Sequence, residues 1–115
     1  MTQEVDAALR SLIAGVEGQR REPVGRSFHI HQLDGARLEA MVYLEPGGLR
    51  IDWSHGKGDC AITGEGDAIL SVLRGDQRVD SSAASGRPVL YGDLELVRRA
   101  PQVFSAVAEE AADGG

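Results

Sequence analysis

Residues 58–93, GDCAITGEGDAILSVLRGDQRVDSSAASGRPVLYGD, impose the tightest limits on the fold. A short run with Cys60 and Ile62 on one side reads as a strand. Ala68, Ile69, Val72 and Leu73 then recur at helical spacing. They follow Glu65 and Asp67, acids of the kind a helix N-terminus favours, and Gly75 stops the pattern. Residues 76–85 are small and polar, a loop or a weak helical turn. Residues 86–91 read as a further strand, which Pro88 near its start confines to a sheet edge, and Gly92-Asp93 closes it. A helix with one apolar stripe must cover a sheet, so the stretch demands an α/β layer structure.

The preceding residues supply the rest of that sheet. Val5, Ala8, Leu9, Leu12, Ile13 and Val16 make an amphipathic first helix, with its exit at Arg20-Arg21-Glu22-Pro23. Phe28 and Ile30 alternate with His29 and His31 in a strand over 26–33. Asp34-Gly35 signals a two-residue hairpin. Leu38, Ala40, Val42 and Leu44 then share one face, against Glu39, Met41 and Tyr43. Pro46-Gly47-Gly48 turns the chain, Leu49, Ile51 and Trp53 alternate with Arg50, Asp52 and Ser54, and residues 55–58 turn it again. Three hairpins would join four strands in an antiparallel meander. Leu94, Leu96 and Val97, then Val103, Phe104, Val107 and Ala108, mark a last helical region interrupted at Pro101. The expected fold is α+β, a five-stranded, mostly antiparallel sheet covered on one face by helices.

A chain of 115 residues fits one domain spanning 1–115, with 1–3 and 112–115 as frayed ends. Only 4 % of the residues are aromatic, so Phe28, Tyr43, Trp53, Tyr91 and Phe104 are each expected to weigh heavily on interior shape. The formal charge of −6 argues against nucleic acid and against anionic lipid headgroups. Basic residues pair up only as Arg20-Arg21 and Arg98-Arg99. The lone Cys60 allows no internal disulfide, no run is long and apolar enough for a transmembrane segment, and the N-terminus carries early acids, so a cytoplasmic setting is expected.

The order and spacing within 58–93 resemble the second half of a sterol carrier protein 2 domain, a family that binds lipids. Gly58-Asp59-Cys60-Ala61-Ile62-Thr63 is similar to that family's central strand, and residues 68–75 to its helix and glycine stop. Residues 86–93, GRPVLYGD, keep two glycines at the family spacing. The chain departs at Val79 and Ser82, where the family often has proline and alanine. It departs again at Pro88, where the family places a branched apolar residue. The resemblance implies non-catalytic binding or carriage of a lipid or other hydrophobic small molecule, in an apolar cavity between sheet and helices, with no cofactor and no catalytic residue. The expected lining is Ile51, Trp53, Ile69, Leu73, Leu90, Leu96, Val103 and Phe104, and the region after Gly92 would serve as a movable cover. The same side chains would equally fill a closed core.

Other motifs read more plainly. His29 and His31 share a strand face, and His55, Asp52 and Asp59 could approach. Zinc needs three or four converging ligands, however, and neither CxxC nor HExxH spacing is present, so no metal is expected. Residues 64–75 lack the Lys-Ser/Thr of a phosphate loop. Cys60, in step with Ile62, belongs in the core, and Ser81, Ser82 and Ser85 lack the elbow of an acyl-transfer serine. Two other classes stay open. One is a small accessory enzyme acting on a hydrophobic metabolite, for which only His29, His31, Asp52 and His55 could supply polar groups. The other is an interaction module closing a homodimer.

Overall fold

The apolar stripe of the first helix, α1 (Thr2–Gly15), does what its spacing predicts. Leu9 and Ile13 are fully buried, and Val16 just beyond the helix joins them. The computed structural model describes residues 2–75 and 89–104. After α1 come β1 (Arg26–Gln32), β2 (Glu39–Glu45), β3 (Gly48–Asp52), β4 (Cys60–Gly64), α2 (Gly66–Arg74), β5 (Val89–Gly92), α3 (Leu94–Arg98) and α4 (Ala100–Phe104). The strands form one sheet in the order β3-β2-β1-β4-β5, and helices cover one face. Pro88 and the loop over 76–85 lie outside the described residues, but β5 does occupy an edge. The Val107 and Ala108 part of the last helical region also lies outside them, as do residues 112–115.

Alternation sorts the sheet into two faces. Phe28, Ile30, Ala40, Val42, Leu44, Leu49, Cys60 and Ile62 point under the helices and are buried. Their neighbours Ser27, His29, His31, Glu39, Tyr43, Arg50 and Asp52 line the opposite, back face. α2 lays Ala68, Ile69, Val72 and Leu73 on the core between α1 and α4. Its C-cap Gly75, at φ +73, takes the left-handed conformation that ends the helix.

Three expectations need correction. The first three strands form an antiparallel meander, but β4 pairs with β1 in parallel, Phe28 opposite Cys60 and Ile30 opposite Ile62. The sheet is therefore mixed. β3 cannot serve as β4's neighbour at Leu49, because its outer edge there is taken. Gly18 N–H donates to Leu49 O at 2.8 Å, and Leu49 N–H to Gln19 O at 2.7 Å. The chain instead crosses the back face over Met41, close enough that a Cβ on Gly56 would lie 2.7 Å from the methionine Cγ.

The Asp34-Gly35 turn is not a two-residue hairpin either. It sits in a wider connection over 33–38, with Gly35 and Arg37 both at positive φ. Tertiary bonds shape it: the Asp34 carboxylate accepts from Gly66 N–H at 2.8 Å and from Gln32 Nε2 at 3.2 Å. Finally, only Phe28 and Phe104 of the five rings are buried; Tyr43 lies on the back face, and Trp53 and Tyr91 are exposed.

Candidate functional site

Most of the expected lining residues meet under the helices. Ile69, Leu73, Leu96, Val103 and Phe104 are buried in one cluster, and Ile51 and Leu90 pack against its edge. Phe104 meets Phe28 edge to face, with ring centroids 5.6 Å apart. Trp53 stands apart, 39 % exposed, with the Arg10 guanidinium 5.0 Å above its ring.

The Gly-Asp closure of β5 positions α3 and α4 over this interior. Gly92 adopts φ +79 where its backbone rests on β4, and a Cβ there would lie 2.4 Å from Asp59 O. Only glycine fits. Asp93 N–H then donates to that same carbonyl at 3.0 Å, and its carboxylate caps α3 by accepting from the Glu95 and Leu96 amides at 3.1 and 3.2 Å. Arg26 bonds its other oxygen. The Leu96 amide, joined by Arg26 and the Glu95 amide, holds the Asp93 carboxyl below its ordinary range against the opposing effect of burial. Beside it, burial pushes the Cys60 thiol up to about 12, so this cysteine is an inert core residue.

A groove of about 590 Å³ opens where α4 meets the α1–β1 connection and the β2–β3 turn. Val103 reaches it from the core, Val24 and Pro46 add apolar walls, and Arg20, Arg21 and Arg99 stand on its rim with Glu22 and Glu45. Glu45 is held by Arg50 at 3.0 Å. The two basic pairs visible in the sequence thus each contribute to one opening, a convergence that needed the tertiary fold.

On the back face, all three histidines of the chain gather around one carboxylate. His29 Nε2 and His55 Nδ1 lie 2.6 and 2.7 Å from Glu39 Oε2, and His31 Nε2 lies 4.0 Å from Oε1. Burial would raise the Glu39 carboxyl, but hydrogen bonds from His29 and His55, with the charge of His31, hold it below its ordinary range. A second groove, of about 440 Å³, runs from His29 and His55 across Ala61 to Tyr91. Sequence reasoning singled out the histidines but missed Glu39. The signal for it is the register that sets Glu39 directly across from His31.

None of His29, His31, Asp52 and His55 enters the interior under the helices. Among the described residues, the buried polar side chain there is Gln32. The expected enzyme alternative, which needed those four groups inside the cavity, gains no support from their positions.

No family model and no curated protein sequence matches the chain. Solved structures do match in fold. A ubiquinone synthesis protein described as UbiJ-SCP2 superposes with a TM-score of 0.60 at 17 % identity, covering 91 % of this chain and 96 % of that one. Sterol carrier protein 2 from Aedes aegypti, solved in complex with the C16 fatty acid palmitate, gives 0.55 at 18 % identity over 90 % and 94 %. Sterol carrier protein 2 like 2 from the same organism gives 0.51 at 16 % identity over 88 % and 94 %. The chain has the sterol carrier protein 2 fold.

Proposed function

From that fold, we propose that the chain binds and carries a hydrophobic small molecule, without catalysis, between its sheet and helices. The observation that carries this reading is the groove at Val103, where the apolar core meets the surface beside three arginines and two glutamates, of which Glu45 is already paired with Arg50. An aliphatic tail entering there would lie under α3 and α4 among Leu96, Val103, Phe104 and Leu73. Each methylene removed from water contributes about 0.8 kcal/mol before ordering costs, so even half of a long acyl chain gives useful affinity. A carboxylate or other anionic head would remain at the rim beside Arg20, Arg21 and Arg99. Two similar folds were solved with palmitate or as a palmitated protein, and this supports a fatty acid as the class to test first.

Entry requires the helices to part. α3 and α4 have five residues each and are separated at Arg99, so their movement breaks few helical bonds. α3 and α4 then serve as the cover, hinged at the Gly92-Asp93 anchor. No helix among the described residues is long and apolar enough to cross a membrane.

The test is displacement of a fluorescent fatty acid by palmitate, together with mass spectrometry of an organic extract of the purified chain. One site per chain, with Arg99→Ala weakening a fatty acid but not the matching fatty alcohol, supports the reading. An empty extract and no saturable binding refute it.

A further inference from the structure

We propose that the back face carries a divalent transition-metal site formed by His29, Glu39 and His55, separate from the interior site and independent of it. The two imidazole nitrogens and a Glu39 oxygen all lie within 4.8 Å of one another. They come from three separate pieces of chain: β1, β2 and the crossover over residues 53–59. The hairpin register sets His31 opposite Glu39 and puts His29 two residues along on the same face. The crossover lies tight on Met41 at Gly56, and this carries His55 over His29 with their rings 5.6 Å apart. The fold thus spends every histidine of the chain on one carboxylate.

Two imidazoles and one carboxylate form a donor set suited to Zn²⁺, Co²⁺, Ni²⁺ or Cu²⁺ and poorly suited to Ca²⁺ or Mg²⁺, which prefer oxygen. With metal–ligand bonds of about 2.0–2.2 Å, tetrahedral donors stand about 3.3–3.6 Å apart. The present separations of 2.6 and 2.7 Å are hydrogen bonds in which both rings donate to Oε2. An ion would replace both protons and widen these contacts by no more than about an ångström. His55, whose side chain is 82 % exposed, can yield that distance by swinging outward, while His29 and Glu39 stay held by the sheet. His31 Nε2, 4.0 Å from the other carboxylate oxygen, is too far to hydrogen-bond Glu39 and acts on it through charge.

Three protein ligands leave a fourth position open. The groove of about 440 Å³ lined by His29, His55, Ala61 and Tyr91 adjoins two of the three ligands and gives that position room. A water or a small anionic ligand would complete the coordination. Closed four-residue sites serve structure, and a three-residue site with an open position serves ligand exchange.

The full chain, free of any affinity tag and stripped with chelator, should bind one Co²⁺ with the intense visible absorption of a tetrahedral site, displaced by Zn²⁺ at micromolar concentration. His55→Ala, which removes an exposed side chain, and Glu39→Gln should each weaken Zn²⁺ at least tenfold while fatty-acid titration stays unchanged. The proposal is overturned if the wild-type chain shows no saturable binding up to about 100 μM metal, an affinity too weak for a built site. It is equally overturned if both variants titrate like the wild type.

Discussion

Replacing Gly92 with alanine separates two costs that a glycine can avoid, and the chain contains controls for each. At Gly92, φ is +79, so a Cβ meets the left-handed penalty of about 1–2 kcal/mol. The Cβ would also stand 2.4 Å from Asp59 O, a backbone atom that cannot rotate away. Relief requires β5 to lift from β4 at the Cys60–Gly92 pair. That movement breaks the bond from Asp93 N–H to Asp59 O, worth about 1 kcal/mol, and draws Asp93 off the α3 cap, worth about another 1 kcal/mol. The expected loss for Gly92→Ala is therefore about 3–4 kcal/mol, a large share of the roughly 5–15 kcal/mol that holds a domain folded. Gly18, at φ +84 with nothing within 4 Å of its Cβ position, isolates the backbone term, so Gly18→Ala should cost about 1–2 kcal/mol. Gly47, with open space and no positive φ, should tolerate alanine within about 0.5 kcal/mol. Urea denaturation of the three variants gives the ranking, and amide exchange at β5 and α3 locates the loss. If Gly92→Ala costs no more than Gly18→Ala, the close contact of β5 with Asp59 is wrong, and with it the account of how α3 and α4 are anchored.

Phe104→Ala should cost about 3–5 kcal/mol, because it empties a fully buried position and ends the edge contact with Phe28. Thermal unfolding should fall by roughly 12–20 °C, and a drop of only a few degrees would show that the ring is not packed. Gln32→Leu keeps the volume near that of the native side chain but leaves the buried Leu38 amide without its 3.1 Å acceptor and Asp6 with the Ala36 amide as its remaining donor. Urea titration should register about 1–3 kcal/mol, and an unchanged midpoint would contradict a stabilising role for the Gln32 hydrogen bonds. Asp93 supplies a pH test. Its folded carboxyl lies below its unfolded value, so its contribution is whole above the ordinary Asp range of about 3.9 and is lost as pH falls through the depressed value. Asp93→Asn keeps a good cap but removes the titrating charge, so its stability curve should be flatter than the wild type's on the acid side; parallel curves would refute the assignment.

The chain's local patterns were legible wherever one residue's neighbours in sequence are also its neighbours in space. The α1 and α2 stripes, the glycine stop at Gly75, the edge character of β5 and the core position of Cys60 all follow from side-chain period and backbone allowance. The β1–β2–β3 meander follows for the same reason. Failure came where a segment's partner was distant. The crossover after β3 carries turn residues like a hairpin, and only the occupied edge at Leu49 sends it across the sheet to β1. Asp34-Gly35 does make a tight turn, with Arg37 N–H donating to Asp34 O at 2.9 Å. The strands stop outside it, however, and the Asp34 carboxylate is taken by Gly66, so no two-residue hairpin forms. Trp53 alternates correctly with the strand, but the strand ends before it and leaves the ring under Arg10.

The candidate sites divide along the same line. Period and glycine spacing along the chain mark which side chains go under the helices, because burial on one face repeats every two residues in a strand and every three or four in a helix. They do not tell whether those side chains enclose a ligand or pack on one another, since both need the same residues. Convergence of charged groups carries no period at all. Arg20, Arg21 and Arg99 share a rim, and His29, Glu39 and His55 share a carboxylate oxygen, only because strand order and one crossing loop bring separate segments together. By itself the sequence determined the elements and their buried faces. The tertiary structure decided which polar groups meet, because their meeting depends on strand order and the path of a connection, neither of which is written in local composition.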